Sequence, residues 1–509
     1  MEKYHNKQHR ITASLSFDLK KNIELFDDIF RHCDDIIKRR FAIGKAHPTA
    51  IYLAYTDNMI NRASLQQDII KNFMFHMDDI PAAGQFEYLK QHALQSAEVK
   101  ELLTLDEITQ AAMSGNVVIL VDGCNKALML SLQSFPSRGI QAAETEVTVR
   151  GAKDSFTELA AFNKVLIRQR IKDTSLKMEN MQIGIRSRTA VTVAYIEGIA
   201  QPALIREVKQ RLEGFTIDGI FDVGMLEHLI ETKWYSLFPQ FQSTERPDKT
   251  ASALLEGRVV LLADNSPMAL ILPVTLNCFF QAADDYYGRW PFVSFVRVLR
   301  YIAAFFAMSF PGLYMVVTGY QPELIPTSLA LSFAAAREGV PFSILVEVII
   351  LLLAFELLME AGIRLPSPMG NTIGIVGGLI IGDAAVSANL VSPMVVIIVA
   401  FTAIASFTIP NETFLSAFRV IKYLILFLSS ILGLYGFILG IMLVLVHLAA
   451  LKSFGIPYLS PFVASHLEKN HPLSDSLLKF PIFKSPFRPI YSVKENKRRL
   501  SGYDRHMKS

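Results

Sequence analysis

The stretch NVVILVDGCNKALMLS, Asn116 to Ser131, decides the fold of the N-terminal half. Two apolar runs, Val117 to Val121 and Leu128 to Leu132, flank the turn signal Asp122-Gly123-Cys124-Asn125, which is the pattern of a β-hairpin. The same pattern returns as RVVLLADNSPMALILP from Arg258, with Asp264-Asn265-Ser266-Pro267 at the turn and an offset of 142 residues. Asp122 then matches Asp264, and Ala127-Leu128 matches Ala269-Leu270. Upstream, TAIYLAYTDNMINRASL from Thr49 lines up with TAVTVAYIEGIAQPALI from Thr189, an offset of 140. Two matches at nearly one offset predict a tandem pair of homologous units.

Within each copy the order is strand, helix, a further helix, then the hairpin. Ala50 to Tyr55 and Ala190 to Tyr195 are the short β-rich runs, followed by helical stretches Asn61 to Phe75 and Pro202 to Leu212. These are α/β units. Between them, Val149 to Arg170 contains an amphipathic helix with apolar Leu159, Phe162 and Leu166. Asp122 and Asp264 read as turn formers bonding their own backbone, not as acids of a site. No phosphate loop, nucleophile elbow, zinc-protease motif or dinucleotide fingerprint occurs. The 11 histidines show no metal-ligand spacing. Cys33, Cys124 and Cys278 form neither a disulfide framework nor a zinc motif, which fits a reducing compartment. No enzyme activity, catalytic residue, metal or cofactor is expected.

Charge divides the 509 residues sharply. From Phe292 to Leu451 only 13 of 160 residues are Asp, Glu, Lys or Arg, about 8%, whereas the other 349 carry 84, about 24%. The second figure is ordinary for a soluble protein and the first is not. A purely soluble enzyme is therefore excluded. After Leu451 the tail carries 11 basic against 4 acidic residues, and its run Lys497-Arg498-Arg499 reads as a cytoplasmic tail on anionic lipid, not a nucleic-acid segment. The start, MEKYHNKQHRITASLSFDLKKN, lacks the apolar stretch of a signal peptide, so the N-terminal part is expected to face the cytoplasm. The expected fold is an α/β tandem-repeat cytoplasmic region followed by an all-α polytopic membrane domain and a basic tail. Its parts are residues 1–145, a first unit; 146–290, a second with the connecting helix; 291–451, transmembrane; and 452–509, the tail.

About 20 apolar residues in a helix cross the hydrocarbon of a bilayer. The candidates are Val298 to Gly319, Pro341 to Ala361, the long stretch Thr372 to Pro410, and Leu424 to Leu451. The third holds Gly377-Gly378, Gly382, Asp383, Asn389 and Pro393, so it is two crossings or one broken helix with a re-entrant part. Arg289, Arg297 and Arg300 before the first span and the basic tail after the last put both ends in the cytoplasm, and four crossings are preferred. That count leaves Arg419 and Lys422 outside, against the positive-inside rule. Ser328 to Glu338 is expected to be an amphipathic helix that either lies in the interface or helps to line a vestibule.

Ionisable groups at membrane depth usually face protein or water, so Glu347, Glu356, Glu360, Arg364, Asp383 and Asn389 are the candidate ion-pathway or gating residues. Glu356, Glu360 and Arg364 are spaced four apart and form one stripe, in which Glu360 and Arg364 equally well make an i,i+4 ion pair. Glu347, nine residues before Glu356, lies about 180° round the helix. Asp383 sits at the glycine-rich break, where a carboxylate beside unwound backbone can meet a cation or proton. Its alternative role is the N-cap of a helix beginning at Ala384.

Three segments together, TERPDKTASALLEGRVVLLADNSPMALILP, FFQAADDYYGRWPF and SPMGNTIGIVGGLIIGDAAVSANLVSPMVVIIVAFTAIASFTIP, resemble the A subunit of the GerA family of spore germination receptors, from roughly Thr49 through Phe487. The resemblance implies a two-part cytoplasmic region, a helical membrane region and a cytoplasmic tail. It implies partners, a transporter-like B subunit and a lipoprotein C subunit, with which the chain senses nutrients at the inner spore membrane. It also implies a self-oligomer forming an ion-conducting channel. Many family members carry an amide at the place of Asp383, so the resemblance transfers no pore role to it. Two other functions are weighed: a transporter moving substrate through the broken helix, and a membrane-anchored scaffold for partner subunits.

Overall fold

The computed structural model describes residues 14–43, 48–71, 82–93, 98–134, 143, 145–364, 382–463 and 475–500. Two five-stranded antiparallel sheets share one topology, β1-β2-β4-β5-β3 and β6-β7-β9-β10-β8. The first is built from β1 (Ile36–Ile43), β2 (Thr49–Thr56), β3 (Glu98–Leu102), β4 (Val117–Val121) and β5 (Ala127–Ser131). The second uses β6 (Leu176–Ile183), β7 (Thr189–Ile196), β8 (Gln242–Thr244), β9 (Val259–Ala263) and β10 (Ala269–Leu272). Register repeats as well as order. Ile36 opposes Thr56 as Leu176 opposes Ile196, and Val117 opposes Leu130 as Val259 opposes Leu272. The edge strands β1, β3, β6 and β8 were not foreseen, because runs such as IIKRRFAI alternate weakly and expose Arg39 and Arg40.

Each sheet is covered on both faces, so its central strands are apolar throughout instead of alternating. In the first unit, α1 (Leu19–Ile29) and α4 (Leu105–Met113) pack Leu19, Phe26, Ile108 and Ala112 on Tyr52 and Ala54. The opposite face, with Ile51, Leu53 and Ile119, meets α2 (Arg62–Ser64, continued as a π-helix over Leu65–Ile70) and α3 (Ala82–Ala93). The second unit repeats this with α5 (Ala160–Arg170) and α8 (Pro247–Leu255) on one face, α6 (Pro202–Glu213) and α7 (Val223–Ile230) on the other. Each fully buried aliphatic side chain contributes about 1.5–3 kcal/mol.

Asp122 and Asp264 do more than shape a turn. Asp122 Oδ1 accepts the N–H of Leu19 at 3.2 Å and Asp264 Oδ1 that of Ala160 at 3.1 Å, so each ties a hairpin to the first turn of a helix more than 100 residues earlier. Here the expectation of a purely local bond is corrected: the free N–H groups of a helix start donate to any carboxylate brought near them.

After short helices α9 (Asn277–Phe280) and α10 (Asp284–Tyr287) come α11 (Trp290–Gly319), α12 (Thr327–Ala336), α13 (Ile344–Arg364), α14 (residues 382–387), α15 (Pro393–Phe407), α16 (Glu412–Leu432) and α17 (Leu434–Ala450). Among the described residues, α11 and α16 are long and apolar enough to cross a membrane, while α12, α15 and α17 are shorter apolar helices. The span expected over Leu424 to Leu451 is not one helix. The chain reverses at Gly433, whose φ of 58° suits glycine, and α16 and α17 pack as an antiparallel pair. Their free ends both return to the second unit, where Phe414 and Phe418 of α16 and His447 of α17 pack against Phe238. Arg419 therefore lies in the half of α16 nearer the second unit and Lys422 at its midpoint, not toward the far end as the unbroken span required.

Candidate functional site at the helix break

The α12–α13 connection turns at Gly339, placing Arg337 beside the first turn of α13. Glu347 lies in that first turn, where negative charge suits the helix dipole. It is wholly buried together with Val348 and Leu352. Its Oε1 accepts from Arg337 Nε at 3.2 Å and Nη2 at 3.0 Å, and its Oε2 accepts the backbone N–H of Ser392 at 3.0 Å. Ser392 is the N-cap of α15, and Pro393 starts that helix where a missing N–H costs nothing. One carboxylate thus binds α12, α13 and the start of α15. The Tyr314 hydroxyl of α11 faces Ser392 and Glu347. Both that hydroxyl and Ser392 Oγ are buried.

Glu356 points to the other side of α13, as its nine-residue separation predicts, and receives Lys422 Nζ of α16 at 2.5 Å with Arg419 Nε at 3.9 Å. Buried charges in apolar surroundings need such partners. Glu360 is exposed, and the side chain of Arg364 lies outside the described residues. Asp383 is exposed within α14, which already includes residue 382, so it does not cap a helix beginning at Ala384. Gly377 and Gly378 fall outside the described residues. Asn389 ends α14 in the left-handed conformation, φ 52°, with Asn389 N–H on Val386 O at 3.0 Å and Leu390 N–H on Ala385 O at 2.9 Å. This is the bond pair of a Schellman cap, for which asparagine is a frequent substitute for glycine. The structure thus gathers Glu347 and Glu356 into two separate charge clusters and leaves Asp383 exposed in α14 and Asn389 exposed at its C-terminal turn.

A third polar cluster joins the tail to the second unit. A cavity of about 70 Å³ is lined by Glu256, Arg258, Thr275, Cys278, Ser460 and Tyr491, among others. Arg258 stacks 4.3 Å from the Tyr491 ring and pairs with Glu256 at 3.0 Å. Burial raises the Glu256 carboxyl above its ordinary range, Arg258 opposing it. Burial also disfavours the Cys278 thiolate, but Arg258 and hydrogen bonds from Tyr491 and Thr275 outweigh it and hold the thiol below its usual value. The cavity has room for about two waters. Among the described residues no group of three His, Cys, Asp or Glu is placed to hold a metal. The tail's basic side chains are partly committed to this junction: Lys479 bonds the Asp285 carbonyl, and Arg488 Nε bonds Leu255 O at 2.8 Å. Lys494, Arg498 and Arg499 remain exposed.

The partners Arg337, Ser392, Tyr314 and Lys422 were missed in the sequence reading. A lysine three residues after an arginine in an apolar helix demanded an acid across the bundle, which pointed toward Glu356. Nothing local pointed from Glu347 to Ser392, 45 residues away.

Residues 24–491 match the family model for the Bacillus/Clostridium GerA spore germination protein. The chain is 37% identical over 93% of its length to the uncharacterized membrane protein YfkQ of Bacillus subtilis (strain 168), covering 91% of that protein. It is 37% identical over 95% of its length to spore germination protein KA of the same strain, covering 88% of it. The N-terminal domain of the A subunit of the Bacillus megaterium spore germinant receptor GerK3 aligns at 28% identity and a TM-score of 0.42, over 52% of this chain and 97% of that one.

Proposed function

This chain belongs to the GerA family of spore germination proteins, as a germinant-receptor A subunit, and from that premise we propose that it is a membrane subunit that oligomerises into a nutrient-gated ion channel. The observation that supports it is the Glu347 cluster. A buried carboxylate, held by Arg337 and the Ser392 N–H and flanked by two buried hydroxyls, stands at an interruption between apolar helices, and ionisable groups in such places commonly belong to an ion path or its gate. The proposed partners are a B and a C subunit, further copies of the chain, and anionic lipid at the exposed basic residues of the tail.

The proposed organisation keeps the parts 1–145, 146–290, 291–451 and 452–509, with both termini cytoplasmic at the inner spore membrane. The α16–α17 hairpin adds one crossing to the four expected from sequence. Both ends of the bundle then stay on one side only if Thr372 to Pro410 crosses twice, giving six. In this arrangement Arg419 lies in the cytoplasmic half of α16, as the positive-inside rule favours, and Lys422 lies at its midpoint, paired with Glu356.

Reconstitution with the partner subunits in ion-loaded liposomes tests the proposal. Nutrient addition should release ions, and Glu347→Gln should change nutrient-triggered release at least tenfold while the variant still assembles. Absence of flux in every assembly, with or without partners, sinks it.

A further inference from the structure

The protein has 2 tryptophans, and both are exposed at the same junction: Trp234 is 82% and Trp290 49% accessible. Trp290 opens α11, and Trp234 lies on the loop beneath the last turn of α17. The loop is fixed to that helix end. Lys233 Nζ donates to Ala450 O at 3.1 Å, Ser236 Oγ meets His447 Nε2 at 2.9 Å, and the Tyr235 ring lies 6.4 Å from the His447 ring. Gln240 braces it from behind, accepting the N–H groups of Thr232 and Lys233 at 3.1 and 3.2 Å. The exposed Trp234 and Tyr235 rings are therefore carried on a stiff loop, and Trp290 on the first turn of α11.

Each tryptophan stands at the head of an exposed apolar stripe. On α11 it continues through Phe292, Phe295, Leu299 and Ile302, and on α17 it is Leu439, Met442, Leu443 and Val446. Exposed Arg289 adjoins Trp290, and exposed Lys452 follows α17. An apolar stripe that ends in tryptophan and tyrosine, then in cations, matches the change from acyl chain to headgroup along the bilayer normal.

We propose that Trp234, Tyr235 and Trp290 form an anchor in the headgroup layer of an anionic bilayer, which sets the depth of α11 and α17 and seats the second unit on the membrane surface. The proposal rests on the membrane reading above. It commits to lipid, because both stripes run on into helix faces that the same bilayer covers.

The test uses the full-length chain in phosphatidylglycerol-containing liposomes, with Trp234→Phe and Trp290→Phe leaving one tryptophan each. Lipids carrying a quencher just below the headgroup should quench either tryptophan at least twofold more than lipids quenched near the chain terminus. Aqueous iodide should quench less than it does in the denatured chain. Iodide quenching equal to that of the denatured chain, with no lipid quenching, overturns the anchor while flotation with the liposomes keeps the membrane reading. Protection of Trp234 from both quenchers overturns it in favour of contact with a neighbouring copy. Failure of the wild-type chain to float with the liposomes overturns both.

Discussion

The two N-terminal units are the same fold put to different use. Buried Asn22 bonds Ser16 through both its side-chain atoms, and buried Asn163 does the same to Thr157. Gly123 N–H reaches Phe17 O as Asn265 N–H reaches Glu158 O. The second unit, however, is built into the rest of the chain. Its Phe238 packs on α16 and α17, its Asp285 is bonded by Arg297 and Arg300 of α11, and its Ile199 carbonyl accepts the Val493 N–H of the tail. The first unit joins the second through residues 32–35, where Cys33 bridges Met178 on edge strand β6 and Arg168 holds Asp35. Duplication supplied two copies of one scaffold, and long-range contacts made the second the base of the helical region.

The largest expected effect lies at the seam between the copies. Arg168 grips Asp35 with Nε at 2.8 Å and Nη2 at 3.0 Å, and both side chains are nearly inaccessible. Asp35→Ala leaves a buried guanidinium short of its partner and should cost about 3–5 kcal/mol in denaturant unfolding. The double variant Asp35→Leu/Arg168→Met should recover most of that loss. If the single variant costs under about 1 kcal/mol, the units do not depend on this seam.

Acidity should separate the copies next. Burial, with the nearby Glu231 charge, raises Glu227 in the second unit to about 7 from 4.5. The folded state then holds a proton that the unfolded chain has released, so this contribution is full below about pH 4.5 and lost as pH rises through about 7. Glu227→Gln should flatten the second unit's stability between pH 5 and 8 and raise it at pH 8 by on the order of 1–2 kcal/mol. Unchanged pH dependence in the variant would remove Glu227 as the source.

The smallest effect tests how alike the copies are. Asp122→Ala and Asp264→Ala each remove one hydrogen bond to a helix start, and each should cost about 1 kcal/mol. Native-state hydrogen exchange at Leu19 and Ala160 would read them separately. A difference beyond about 1 kcal/mol would mean that the two bonds, alike in length, are not alike in energy.

Much of the scaffold was legible because hairpins announce themselves locally. Asp122-Gly123 and Asp264-Asn265 sit between apolar runs, and an offset of about 140 residues needs no structure to find. The edge strands were hidden because exposed Arg39 and Arg40, on opposite faces of β1, break the apolar pattern of a strand at the sheet's edge. The α16–α17 turn was hidden because Gly433 is one residue in a long apolar run, and its left-handed backbone leaves no mark on hydropathy. Glu347 and Glu356 were found as unusual residues, and their opposed directions followed from helical pitch. Their partners were not found.

The sequence by itself determined the duplication, the apolar third and the family, since each is a pattern of neighbours or of aligned residues along the chain. Tertiary structure alone decided that Glu347 meets Arg337 and Ser392, that Glu356 meets Lys422, and that both tryptophans stand at one junction. The reason is physical. Hydropathy and turn chemistry act over a few residues, whereas a buried charge is stabilised by whichever group the packing of distant helices brings within about 3 Å of it.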